Sequence, residues 1–351
     1  MASKSKKIFT IHPASLSVEY GNIENVAAMK EEIILGTPGS VIEQINKDGV
    51  RFYTHQFYDG DGKKRQKYIA GPIGADDANA AAEKMRSKIE EVNDLVTAIR
   101  MLGREGFILV DAKTYTTLGA LHNHGVFEAG GMLIGSHAYG VLLNKLGVRA
   151  AFNKTDDIDI ARSEKLAFKK VPSKSMLEML LESGVNFVEI PSLKHGAPST
   201  SFKKKGKARF HVDLLVPSKD ETFPTVAVPE LSAHATALPY LKYLLAESQP
   251  AVLLARQGCC QVRVPVPERF AVHKLVVSQL RTGRGAKSGK DIDQASVLCA
   301  ALAELHPGAI EDAVDALSKK MKKHFQKALP SAQKRLEESS PLAWNALRIN
   351  A

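Results

Sequence analysis

The sequence predicts a mixed α/β (α+β) fold: a small mixed sheet carrying carboxylates, an N-terminal hairpin-plus-helix module and a C-terminal helical region. Three observations predict it. Residues 130–161 read as strand, Gly-Ser turn, helix and strand. Residues 50–69 alternate like two strands about an Asp-Gly-Asp-Gly turn. Beyond residue 266 the apolar spacing is helical. The expected boundaries are 1–104 for the arm, hairpin and long helix, 105–265 for the sheet-bearing core, and 266–351 for the helical region.

Composition sets the limits. The chain of 351 residues is long enough for one large or two medium domains, and a 44% hydrophobic content allows a sizeable core. A formal net charge of +10 favours acidic partners such as nucleic acid or nucleotides over a plain solvated surface only evenly. Cys259, Cys260 and Cys299 lack metal-ligand spacing, which fits a reducing cytoplasmic setting. No apolar run follows the basic N-terminus, so no signal peptide is read there, and no stretch approaches the ~18 apolar residues of a membrane helix.

In chain order, residues 1 to about 22 read as an extended or loosely ordered arm, and Glu24 to Lys47 as a helical patch broken near Gly36. Val50–Tyr58 and Lys63–Ile69 form the hairpin, interleaving Tyr53, Tyr58 and Tyr68 with Arg51, Lys63, Lys64, Arg65 and Lys67. Such a face can stack bases and contact phosphates, or be an ordinary two-stranded cap. Asp76–Met101 is a helix with an apolar stripe through Ala82, Ile89, Val92, Val96 and Ile99, ending near Gly103. Phe107–Val110 reads as a short strand, Thr114–His124 as a helix, Ser173–Ser183 as a helix and Val185–Ile190 as a strand. Phe202–Phe210 reads as a hairpin with Lys203, Lys204, Lys205, Lys207 and Arg209 at its turn. Thr222–Pro239 is Pro-rich and irregular. Tyr240–Ala246, Ala251–Arg256 and Gln261–Val264 read as strands or short segments. Pro267 opens a helix. Gly283–Gly289 is a basic loop, Lys290-Asp291-Ile292-Asp293 starts another helix, and three further helices follow.

The chemistry concentrates in residues 130–161. Met132–Ile134 is an apolar strand, and Gly135-Ser136 opens a helix whose N-terminal N–H groups suit an anion. On the next strand, Asp157 and Asp159 alternate with Ile158 and Ile160, so both carboxylates face one way. Two such carboxylates repel, and a hard cation such as Mg²⁺ or Mn²⁺, shared with substrate phosphates, relieves that repulsion. A phosphate site beside paired aspartates suits nucleotidyl transfer.

Gly135-Ser136 followed by Asp157-x-Asp159 resembles the signature of the DNA polymerase β-type nucleotidyltransferase superfamily. The run Arg209–Leu215 resembles the strand that carries its third carboxylate, here Asp213. The pattern from Pro267 through His273-Lys274 and Arg281 to Lys290-Asp291-x-Asp293 resembles bacterial nucleotidyltransferase-fold proteins related to abortive-infection toxins. The resemblance covers roughly residues 105 to 305. It implies a metal-dependent enzyme that transfers NMP from an NTP to an acceptor hydroxyl. Asp157, Asp159 and Asp213 are then the catalytic and metal-ligating residues, with Gly135, Ser136, Lys274 and Lys290 on the triphosphate and Arg281 a further candidate. The alternative for the lysines is a salt bridge with Asp291 or Asp293. Relatives carry a basic residue shortly before the Asp-x-Asp; here that contact would come from Lys154 or Arg149. The basic hairpins favour RNA (tRNA-like) as acceptor. Two other readings stay open: a non-catalytic nucleic-acid-binding protein that keeps the fold, and the toxin of a toxin–antitoxin pair.

Overall fold

The computed structural model describes residues 7–153, 155–170, 172–191, 196–280 and 286–349. Its elements begin with β1 (Phe9–Ile11), α1 (Ala14–Ala28), β2 (Ser40–Ile45), β3 (Arg51–Tyr58), β4 (Lys64–Ala70) and α2 (Asp76–Arg104). Then come α3 (Ala112–Asn123), β5 (Met132–Ile134), α4 (Gly135–Lys145), β6 (Val148–Ala150), β7 (Asp157–Ala161), α5 (Met176–Leu181), β8 (Phe187–Glu189), β9 (Ser201–Lys204) and β10 (His211–Pro217). The rest is β11 (Thr225–Val228), β12 (Ala233–Leu238), α6 (Leu241–Leu244), β13 (Ser248–Ala255), β14 (Gly258–Pro265), α7 (Pro267–Ser278), α8 (Ala286–Leu305), α9 (Ala309–Asp315), α10 (Lys319–Leu336) and α11 (Pro341–Ile349).

The expected α/β class and the carboxylate-bearing mixed sheet are both present. The central sheet runs β11-β12-β10-β7-β5, and β9 and β8 extend it past the first half of β10. β10 is parallel to β7 and β12, while β5 is antiparallel to β7. One apolar face of β7 and β10, with Ile158, Ile160, Val212 and Leu214, enters the main core. The other face carries the half-buried Asp157, Asp159, His211 and Asp213. α7 and α8 pack against each other, and Phe270, Leu275, Ala295 and Leu298 join the same core.

Local chemistry explains several boundaries. Asp111 caps α3 by accepting from Thr114 N–H at 2.8 Å. Ser175 and Glu178 form a capping box on α5. The N-terminal three-stranded sheet β2-β3-β4 packs on α2, where Tyr53 donates to Asn79 at 3.1 Å beneath the Arg86 guanidinium.

The structure corrects several expectations. The described part of the arm forms regular structure: β1 pairs with β6, and α1 buries Tyr20, Ile23 and Ala27, with the Tyr20 hydroxyl donating to Val252 O at 3.2 Å. The helical patch stops at Ala28, and residues 40–45 are strand β2 because β3 supplies a partner edge. Phe107–Val110 forms no strand, only a bridge from Val110 to Ala255, because Phe107 is turned inward to stack on His12 and Tyr20. The Pro-rich stretch holds two strands, since its prolines flank rather than interrupt β11 and β12, and alternate alanines of β12 face the core. Residues 241–244 form a helical turn. α8 begins at residue 286, so Lys290–Asp293 lie inside it and not at its start; packing on α7 overrides the helix-weakening Gly289.

Candidate active site

β7 lies between β5 and β10, and this register assembles the site. Asp159 stands opposite Asp213 on β10 and opposite Ile134 on β5, and Asp157 stands opposite His211. Adjacent strands are about 4.8 Å apart, so these side chains are neighbours. Thr155 Oγ1 accepts from Asp157 N–H at 3.2 Å and fixes the entry to β7.

The turn from β5 into α4 explains the glycine. Gly135 has φ +68, and a Cβ there would lie 2.0 Å from Asp159 Oδ2. The carboxylate therefore sits directly on the Gly135 backbone at the start of α4. Ser136 follows, with Gln294 Nε2 3.5 Å from its Oγ.

Electrostatics mark Asp159 as the strained member. Burial above all, and then the Asp213 charge, push its carboxyl up to about 6, while Lys274 opposes the rise. His211 answers part of that negative charge. Its Nε2 lies 3.4 Å from Asp213 Oδ2 and its Nδ1 lies 3.4 Å from Asp157 Oδ1. Nδ1 also donates to Arg209 O at 2.8 Å. Hydrogen bonding to Asp213, as the largest cause, raises the imidazole to about 9. Ser201 Oγ donates to the other oxygen of Asp213. The sequence signalled His211 only through its alternation with Asp213 on one strand, and it offered no signal for Ser201, which reaches Asp213 from the neighbouring β9.

Lys274 Nζ donates to Asp291 at 2.7 Å in a buried ion pair between α7 and α8. Of the alternatives for this lysine, the salt bridge with Asp291 is thus formed, beside Asp159 and not remote from it. Lys290 is partly buried and depressed, by burial first and then by Lys274. It opens onto a different cavity, of about 410 Å³, with Gln294 and Arg335. Arg149 lies on β6 with its side chain against Gly106. Lys154, Arg281 and the Gly283 end of the basic loop lie outside the described residues.

Among the described residues, no three His, Cys, Asp or Glu side chains stand as a ready-made metal-binding group. The donor chemistry still suits a hard cation: three carboxylates share one face of the sheet, with His211 between Asp157 and Asp213, and burial first and then the Asp213 charge raise Asp159.

Two basic surfaces approach this edge of the sheet. The β3–β4 turn is tied to the end of β9 by the Asp61–Lys204 ion pair at 2.5 Å, and to the turn after α5 by Gly60 N–H donating to Ser183 O at 3.2 Å. Tyr58 and Tyr68 are exposed, whereas Tyr53 is buried against α2 and is removed from the stacking candidates. Arg51 pairs with Glu43 and Arg65 with Asp59, and both stay exposed, as do Lys63, Lys64 and Lys67.

Residues 112–319, more than half of the chain, match the family model described as Nucleotidyltransferase, and the chain belongs to that family. A crystal structure of an antigenic nucleotidyltransferase-like protein from Paracoccidioides brasiliensis is similar over 66% of this chain and 91% of that one, at 15% identity and a TM-score of 0.31. No curated protein matches the sequence. Among the described residues, no helix is long and apolar enough to cross a membrane.

Proposed function

We propose that the protein is a Mg²⁺- or Mn²⁺-dependent nucleotidyltransferase of the DNA polymerase β type, which moves an NMP from an NTP to an acceptor hydroxyl. The observation that carries this reading is the Asp159–Asp213 pair across parallel strands, with Asp159 seated on Gly135 at the helix start. Asp157, Asp159 and Asp213 would hold the cation, which when bound neutralises the triphosphate and acidifies the attacking hydroxyl.

The chain's own groups account for the remaining work. Backbone N–H groups at Gly135 and Ser136 face the phosphates with the positive end of the α4 dipole. Lys274, held by Asp291, supplies positive charge beside Asp159. Lys290 supplies it from the other side, where Asp157 and Asp159 both raise its proton affinity against burial. Asp213 is suited to take the proton of the acceptor hydroxyl, and Ser201 orients it. Lys63, Lys64, Tyr58 and Tyr68, together with Lys203 on β9, support an RNA acceptor approaching over the β8–β9 edge.

One observation favours a second reading, a non-catalytic nucleic-acid-binding protein: His211 already stands between Asp157 and Asp213. Purified protein incubated with each α-labelled NTP, Mg²⁺ and total cellular RNA separates the two. Label in RNA that vanishes in Asp157→Ala/Asp159→Ala supports transfer. RNA binding with steep salt dependence and no label in any acceptor supports the second reading.

A further inference from the structure

A cavity of about 670 Å³ beside the carboxylates lies over β10 and β12 beneath α6 and α7. Gly135, Asp159 and Lys274 form its polar end. The remainder is mostly apolar, with Leu215, Leu238, Leu244 and Phe270 in the wall. Phe223, just before β11, stands at its rim and is 62% exposed, although it is a large aromatic side chain. A ligand whose phosphates lie at Gly135 would therefore place its next group in an apolar slot with an aromatic ring at the edge.

We infer that this cavity takes the nucleobase, that Phe223 stacks on it, and that the enzyme discriminates weakly among the four bases. The inference rests on the nucleotidyltransferase reading and names how its nucleotide is read. Base–aromatic stacking tolerates any base because each has a π-face. A site that selects one base has to hydrogen-bond its edge, and such sites reject analogues by ~10⁴-fold or more, whereas apolar pockets discriminate by only ~10- to 200-fold. Here the polar side chains, Asp159, His273, Lys274 and Lys287, are outnumbered by apolar ones. Asp159 is assigned to the cation, Lys274 is held by Asp291 and His273 is buried on α7, so Lys287 is the exposed polar side chain of the lining.

Equilibrium titration of the full chain, with Mg²⁺, by ATP, GTP, CTP, UTP and inorganic tripolyphosphate tests it. The four NTPs are expected to bind within ~200-fold of one another. Phe223→Ala is expected to weaken all four by ~5- to 150-fold, the range of one lost base stack, and to leave tripolyphosphate binding unchanged. Phe223→Tyr is expected to restore NTP binding. Because Phe223 is exposed, its replacement spares the core, and unchanged tripolyphosphate affinity verifies that the phosphate end is intact. NTP binding that survives Phe223→Ala unaltered overturns the inference and leaves the transfer reading standing, as does a preference above ~10⁴-fold for one base. A wild-type chain that binds neither NTP nor tripolyphosphate overturns the transfer reading and this inference with it.

Discussion

Replacing Asp159 with Asn should stabilise the protein while abolishing its activity. In the folded chain the carboxyl rises from an ordinary 3.8 to about 6, so its charged form is disfavoured by folding. At ~1.4 kcal/mol per tenfold, that rise corresponds to at most ~3 kcal/mol. Solvent at the half-buried side chain reduces it to roughly 1–2 kcal/mol. The sign follows from proton counting. Between about pH 4 and pH 6 the folded chain holds more protons than the unfolded one, so wild-type stability falls as pH rises through that window. Asn carries no charge and escapes the fall. Thermal unfolding without divalent cations should show Asp159→Asn melting above wild type at pH 7.5, by roughly 2–4 °C for a chain of this size. The gap should close towards pH 4, and Mg²⁺ should narrow it at pH 7.5 by binding only the folded wild type. An Asp159→Asn variant that melts at or below wild type at pH 7.5, or whose gain is the same at pH 4.5, would show that the Asp159 charge does not oppose folding.

His211→Ala should act oppositely. Its imidazole is raised to about 9, so its contribution is complete below about 6.5 and disappears as pH rises through about 9; urea unfolding of the variant should show a loss at pH 7 that vanishes near pH 10. Gly135→Ala should abolish transfer, because the new Cβ meets Asp159 Oδ2 at 2.0 Å at a φ of +68; label incorporation reads the loss and circular dichroism the retained fold. Tyr58→Ala/Tyr68→Ala should weaken RNA binding by ~5-fold or more while leaving NTP binding unchanged, since both rings are exposed on the N-terminal sheet; filter binding of labelled RNA and NTP titration measure each.

The centre of the site was legible in the sequence because it depends on short-range rules. Strand alternation aligned Asp157 with Asp159, and a Gly-Ser pair between an apolar strand and a helical pattern located the turn. Other features depended on distant partners. β1 and β6 are three residues each and exist because they pair with one another across 140 residues of chain. β11 and β12 looked irregular because prolines surround them, yet a free sheet edge at β10 makes strands of them. Lys290 and Asp291 read as a helix start because Gly283–Gly289 reads as a loop, whereas packing against α7 carries the helix back to residue 286. The division of labour between the two lysines was likewise hidden: only the α7–α8 packing decides that Lys274, and not Lys290, takes Asp291. His211 shares the strand face of the carboxylates, but its role between Asp157 and Asp213 needed the parallel β7–β10 register.

The central claim is nucleotidyl transfer through the carboxylate cluster, and product mass tests it most directly. Wild-type protein with NTP, Mg²⁺ and RNA should yield acceptor heavier by one or more NMP units, with one pyrophosphate released per unit. Asp213→Asn should yield neither, although it still binds NTP. Pyrophosphate release and product that persist unchanged in Asp213→Asn would contradict the account.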